Sequence, residues 1–263
     1  MSAPLTSPTD APLAPPAAAP VSQAVLAQTR AELTMTLRRG ESLLVTVFIP
    51  TLLLILAMAL NIVPAGAGRA IDFLLPGILA AAIMSTGMVS LGIATAYERY
   101  YGVLKRLGAS PLPRWGLIAA KVLAVLAIEA GQIVLLALIG AVLYGWRPSG
   151  SLPMALVVVL LGTAAFAGLG LLMAGALRAE ATLSVANGLY LLFLAIGGVV
   201  LPVSQLPDVL GIRFLASILP GAALSDALRS ALGTQGVHAG SVLLLAVWAV
   251  IFLVAAALTF KWE

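Results

Sequence analysis

The chain has 263 residues, 62% of them hydrophobic and 9% charged, with a net charge of +4 and a mean hydropathy of +1.12. A soluble domain is about half apolar and a quarter charged, so no water-soluble fold hides this much apolar surface and lipid is the expected solvent. The lack of cysteine excludes disulfides and thiolate metal sites, one histidine (His238) leaves no ligand set for zinc or haem, and the small charge is no sign of nucleic-acid binding.

Residues 1–20 hold six prolines and six alanines, with Asp10 the only charge. That composition builds no core, and residues 1–22 are expected to form a disordered cytoplasmic tail. They lack the basic start and apolar stretch of a signal peptide. The stretch AVLAQTRAELTMTLRRGES follows. Leu26, Leu33 and Leu37 share a helical face with Arg30, which predicts a helix lying at the membrane interface.

Six apolar runs follow, at 43–63, 73–97, 115–143, 152–177, 181–203 and 241–260. Each has at least twenty residues, enough at ~1.5 Å per residue to cross a ~30 Å hydrocarbon layer. Pro50 and Pro76 predict kinks in the first two. With the N-terminus inside, the inner segments hold Arg30, Arg38, Arg39, Arg99, Lys105, Arg106, Arg114, Arg178 and Lys261. The outer segments hold Arg69, Arg147, Arg213 and Arg229. This basic bias, with an even number of spans, predicts both termini in the cytoplasm.

The second and third runs are joined by ERYYGVLKRLGASPLPRWG, residues 98–116, which carries Glu98, Arg99, Lys105, Arg106 and Arg114. On a helix over 98–108, Tyr100, Val103, Leu104 and Leu107 fall within one ~100° arc, with the charges opposite. Gly108, Pro111 and Pro113 end it. The spacing predicts a short amphipathic helix at the cytoplasmic surface, the other reading being a plain basic inner loop. In the third run Lys121 is expected to reach back to the inner surface. Glu129 and Gln132 stand near mid-bilayer, where a charge costs on the order of 3 kcal/mol, so they are candidates for a translocation path or polar gate. The competing readings are a protonated Glu129 hydrogen-bonded to a neighbouring helix, and a shifted span that leaves Glu129 shallower. Ala164 and Gly168 in the fourth run have the spacing that allows close helix approach.

Between the fifth and sixth runs lies LPVSQLPDVLGIRFLASILPGAALSDALRSALG. Pro202, Pro207 and Pro220 divide it, and the pieces 208–218 and 221–232 read as helices too short to span. A re-entrant or interface-lying hairpin on the outer side fits, with an ordinary loop as the alternative.

These residues carry a resemblance. Glu–Arg–x–x–Gly–Val–Leu–Lys–Arg–Leu, then x–x–Ser–Pro–Leu, after a second span is similar to the permease subunits of ABC-2 type transporters, in particular bacterial drug exporters of the daunorubicin-resistance kind. The outer segment is similar too, in Pro202, Pro207, Pro220, Asp226 and Arg229. Ser110 stands where Thr is commoner in the family. The resemblance implies an all-α membrane protein over 23–263. Six transmembrane helices would have cytoplasmic termini, an amphipathic N-terminal helix, a coupling helix between spans two and three, and an outer hairpin between spans five and six.

The resemblance further implies a bacterial plasma-membrane exporter of drugs or lipid-like compounds. A second permease copy or paralogue and an ABC ATPase would complete it, with Glu98, Arg99, Gly102, Lys105, Arg106 and Pro111 facing the ATPase. ATP and magnesium would be held by that partner. Relatives that export polysaccharide or glycolipid share the architecture and leave the cargo open. The residues themselves add one exclusion. A phosphate-binding loop needs Gly-Lys-Ser/Thr, and none of Lys105, Lys121 and Lys261 follows a glycine. An intramembrane protease is disfavoured by the lone histidine and the missing Gly-x-Ser-x-Gly. A metal-dependent transferase is disfavoured by the scattered aspartates, and a secondary transporter by the lack of repeated halves.

Overall fold

A computed structural model describes residues 20–38, 40–60, 68–108, 112–207, 211–234 and 236–259, with side chains for all of these except 40–45 and 114. Among the described residues every regular element is a helix. The expected tail lies almost wholly outside them, and α1 (Val21–Arg38) is the first element. α2 (Gly40–Ala59) follows. α3 (Ala70–Met84), a π-helical turn (Ser85–Ser90) and α4 (Leu91–Tyr100) run on as one rod. α5 is Val103–Gly108 and α6 is Arg114–Tyr144. α7 is Leu152–Ala176 and α8 is Ala179–Ile196. After a 3-10 turn at Val203–Gln205 come α9 (Ile212–Ile218), α10 (Pro220–Leu232) and α11 (Ala239–Thr259).

Among the described residues five helices are long and apolar enough to cross a membrane: Ala70–Tyr100, Trp115–Tyr144, Leu152–Ala176, Ala179–Ile196 and Ala239–Thr259. The run expected at 43–63 is carried by α2, whose described apolar part, Thr46–Ala59, is shorter than these. Residues 61–63 lie outside the described set.

The rod Ala70–Tyr100 is the axis of the bundle. Its residues from Leu74 to Met84 are all buried, packed on α2, α6, α7 and α10. α6, α7 and α8 pack on it, α11 lies outside them along α7 and α10, and all four turn apolar side chains outward, among them Leu138, Leu156, Leu191 and Val250. Those faces suit lipid or another membrane protein. α10 and the α6–α7 loop close one end of the rod, and α5 and α1 close the other. Ser151 caps α7 by accepting from the Met154 amide at 3.4 Å, and Pro220 starts α10 at a position that needs no N–H. The short helices expected near 208–218 and 221–232 are present as α9 and α10.

Backbone contact without side chains sets the deepest packing. A Cβ on Gly170 would stand 2.8 Å from the carbonyl oxygens of Gly87 and Met88, and one on Gly92 would stand 3.1 Å from Gly170. α7 therefore rests directly on the π turn. On another face, a Cβ on Gly168 would stand 3.0 Å from the Leu253 amide. The small-residue pair Ala164/Gly168 thus lies in a seam within the subunit, with α11 along α7. Pro50 and Pro76 both sit inside helices. The departure from α-geometry in the rod occurs at Ser85–Ser90, a position that no proline marks. Gly170→Val is expected to clash with the π turn at a cost of about 1–3 kcal/mol or more. The expected readout is a large loss of monodisperse protein in detergent size-exclusion, against a mild effect of Gly188→Ala, where a Cβ meets nothing within 4 Å.

Candidate functional site

Among the described residues the ion pairs gather at the two ends of the rod, and each end is built differently. At the α5 end the centre is Lys121, one to two turns into α6 and 1% exposed. Its Nζ lies 2.9 Å from Glu32 Oε1 of α1 and donates to Glu98 Oε2 of α4 at 2.6 Å. Gln28, one turn before Glu32 on α1, donates to Glu32 Oε1 at 2.9 Å and orients that carboxylate. An ammonium this deep is tolerable only when paired and hydrogen-bonded. The sequence-based expectation that Lys121 reaches back to the surface is therefore corrected. The lysine stays inside because two carboxylates come to it.

Arg99 points the other way. Its Nη1 donates to Gly175 O at 2.5 Å and its Nη2 to Leu177 O, so it covers the free carbonyls at the end of α7. Adjacent residues thus fasten the end of α4 to α1 and α6 on one side and to the α7–α8 turn on the other.

The helix expected over 98–108 is not continuous. The chain turns at Tyr101 and Gly102, where Gly102 has φ +70°, a conformation that glycine takes without penalty. The break explains why the expected two-sided pattern does not hold. Glu98 and Arg99 turn inward, whereas Lys105 and Arg106 of α5 are exposed. Of the expected apolar face, Leu104 is buried and Leu107 half-buried, but Tyr100, Tyr101 and Val103 are exposed. The Tyr100 and Tyr101 rings pack edge to face at 5.1 Å. The outcome is an exposed patch of two tyrosines and two cations around a glycine turn. Arg178 and Glu180 of the neighbouring turn are also exposed. Pro111 lies outside the described residues. On α1 the buried side chain is Glu32, while Leu26 and Leu37 of the expected apolar face are exposed.

At membrane depth Glu129 and Gln132 are buried and occupied by neighbouring helices. Glu129 Oε2 pairs with the Thr163 hydroxyl of α7, and its Oε1 has no hydrogen-bond partner among the described residues. Gln132 accepts from Thr86 Oγ1 of the π turn at 2.9 Å and donates to Thr46 O of α2 at 2.9 Å. α6 is so joined to α7, to the rod and to α2.

The α10 end is organised by Arg229. Its Nη2 donates to Gly198 O and, at 2.8 Å, to Val199 O; its Nε donates to Phe73 O at 3.2 Å. Its guanidinium carbon stands 3.8 Å above the Phe73 ring, and Asp226 lies 3.5 Å from Nη1. Burial pulls the guanidinium down to about 10, with Asp226 opposing, so it stays charged at neutral pH. Burial likewise raises the Asp226 carboxyl, against Arg229 and His238. Pro220 is buried, Pro202 half-buried and Pro207 exposed.

Sequence reasoning placed Glu98, Glu129, Gln132 and Arg229 at functional levels but missed their partners Glu32, Lys121, Thr163 and Phe73. Lys121 carried a usable signal: a lysine inside an apolar run requires a carboxylate at its own depth. The family model described as ABC-2 type transporter matches residues 23–232, from the start of α1 to the end of α10. No curated protein matches the chain.

Replacing Lys121 with Met takes from the Glu32 and Glu98 carboxylates the cation they share, a loss of roughly 3–5 kcal/mol. The melting temperature in detergent is expected to fall accordingly. Adding Glu32→Gln and Glu98→Gln to Lys121→Met is expected to recover most of it, because no charge is then stranded.

Proposed function

Because this chain belongs to the ABC-2 type transporter family, whose membrane domains are permease subunits and imply a partner ABC ATPase, we propose that it is the membrane-spanning half of an ATP-driven exporter fuelled by a separate polypeptide. The family and the five apolar helices make it a multi-pass membrane protein. The finer reading is a bacterial plasma-membrane permease with α2 as an additional, first span and both termini in the cytoplasm, working beside a second copy or paralogue. Its cargo is an amphipathic drug or lipid-like compound. Export of a polysaccharide or glycolipid is the second reading of cargo on the same architecture.

The observation that carries this reading is the clamp on the root of α5. Glu98 is held by Lys121 and Arg99 by the end of α7, while the following turn exposes Tyr100, Tyr101, Lys105 and Arg106. A surface that a partner can grip is thereby fastened to α1, α6 and α7 at once. Force applied at α5 reaches these helices through the two-residue turn at Tyr101 and Gly102. In this division of labour Lys105, Arg106 and Gly102 belong to the contact with the ATPase, and Glu98 and Arg99 anchor that contact. Glu129 and Gln132 border the path as joints between the helices that must shift. Arg229 and Asp226 hold the far end, with Pro202, Pro207 and Pro220 shaping the hairpin.

Reversing the charge of Lys105 and Arg106 together is expected to cut co-purification of the ATPase by an order of magnitude or more, since like charges placed at an interface repel. The yield of folded permease should be unchanged, because both side chains are exposed. Undiminished co-purification and transport would overturn the assignment. Glu129→Gln tests the path separately, by the range of compounds exported in a vesicle assay.

A further inference from the structure

α6 and α7 are joined by a short loop, yet they do not close on each other along their length. Between them lies a groove of about 760 Å³. Ala130, Ala137 and Ala141 of α6 and Ala155 of α7 leave only methyl groups where larger side chains would fill the space, and Leu79 and Leu228 form part of its floor. From Leu126 to Ala141 the groove follows sixteen residues of α6, ~22 Å of helix axis. That is longer than one leaflet of a ~30 Å hydrocarbon layer. Its walls carry no charged side chain, and neither Glu129 nor Gln132 lines it. Water in such a slot finds no hydrogen-bond partners. Hydrocarbon is the filling that the walls accept.

The mouth at the α10 end is different. Trp146 and Pro148 line the groove there, and Arg147 between them is exposed and makes no hydrogen bond or ion pair among the described residues. The neighbouring cation, Arg69, is already engaged, donating to Tyr144 O at 2.8 Å and Gly145 O at 3.1 Å. The loop holding Arg147 is fixed, since the amides of Ser149 and Gly150 donate to Leu232 O at 3.1 Å and that of Ser151 to Ala231 O at 2.8 Å. An exposed cation with no partner among the described residues thus stands in the loop at the end of an apolar slot that runs along α6. We propose that this groove is a binding site for an anionic phospholipid, with an acyl chain between α6 and α7 and the phosphate at Arg147. The site stands apart from the α5 end and does not depend on the transport reading.

The test uses the full-length chain in nanodiscs of phosphatidylcholine with a minority of phosphatidylglycerol, followed by native mass spectrometry of the retained lipid. The wild-type chain is expected to keep one phosphatidylglycerol against the excess of phosphatidylcholine. Ala130→Phe fills the groove from an exposed position, and should abolish retention of either lipid while leaving a monodisperse protein. Arg147→Gln is expected to reduce the preference for phosphatidylglycerol about fivefold and still allow phosphatidylcholine to bind. The proposal is overturned if Ala130→Phe retains lipid as the wild type does, or if Arg147→Gln keeps the full preference. It is equally overturned if cysteines placed at Leu138 cross-link two copies efficiently, which would show the groove covered by protein. Should Ala130→Phe aggregate, the preference measured for Arg147→Gln decides the matter.

Discussion

A lysine ammonium with almost no access to solvent constrains everything around it. Lys121 sits in an apolar helix, and a charge there is stable only if opposite charge is brought to it. The chain supplies that charge from two directions, Glu32 on α1 and Glu98 on α4. The N-terminal helix is consequently not a loose float on the membrane. It is tied to α6 by an ionic contact, and its buried residue is a carboxylate rather than a leucine. Such a pair adds little net stability over an apolar replacement, but it penalises every arrangement that separates its members. Specific geometry, more than raw stability, is what the triad contributes.

The far end of the rod reaches rigidity by other means. Arg229 spends its donors on backbone carbonyls of two separate segments and stacks on Phe73, so α10, the start of α3 and the bend near Gly198 become one unit. Gly77 belongs to the same unit, for a Cβ there would run into Val199 O and the Arg229 guanidinium. Between the two ends the polar contacts are fewer and are made across helices, Glu129 to Thr163 and Gln132 to Thr86 and Thr46. The bundle is therefore fastened at its ends and jointed in its middle, which is the distribution that a helix bundle needs if it is to shift without coming apart.

Apolar length was the legible part of the sequence. Hydrophobic runs of twenty residues located five long helices, and the prolines at 202, 207 and 220 correctly announced short helices between the last two. Which neighbour a side chain meets was not legible. Helical spacing assigned Glu98 and Arg99 to one exposed face with Lys105 and Arg106, because a wheel assumes one unbroken helix, and the turn at Gly102 violates that assumption. The π turn was invisible for a related reason: Pro76 drew attention, whereas the irregularity lies where glycines of α7 press against the rod. Lys121 shows the limit most clearly. Its charge was visible, but its destination depended on two carboxylates distant in sequence.

The π turn has one further effect, which concerns phase. Such a turn accommodates one residue more than α-geometry would, and one residue corresponds to 100° of azimuth. The compass bearing of everything downstream in the rod is set there. Glu98 therefore aims at α6 and Arg99 at α7 because of a winding adjustment made at residues 85–90, about two to four turns away. Rewinding that segment into a regular helix would swing both side chains off their targets without altering a single atom of either.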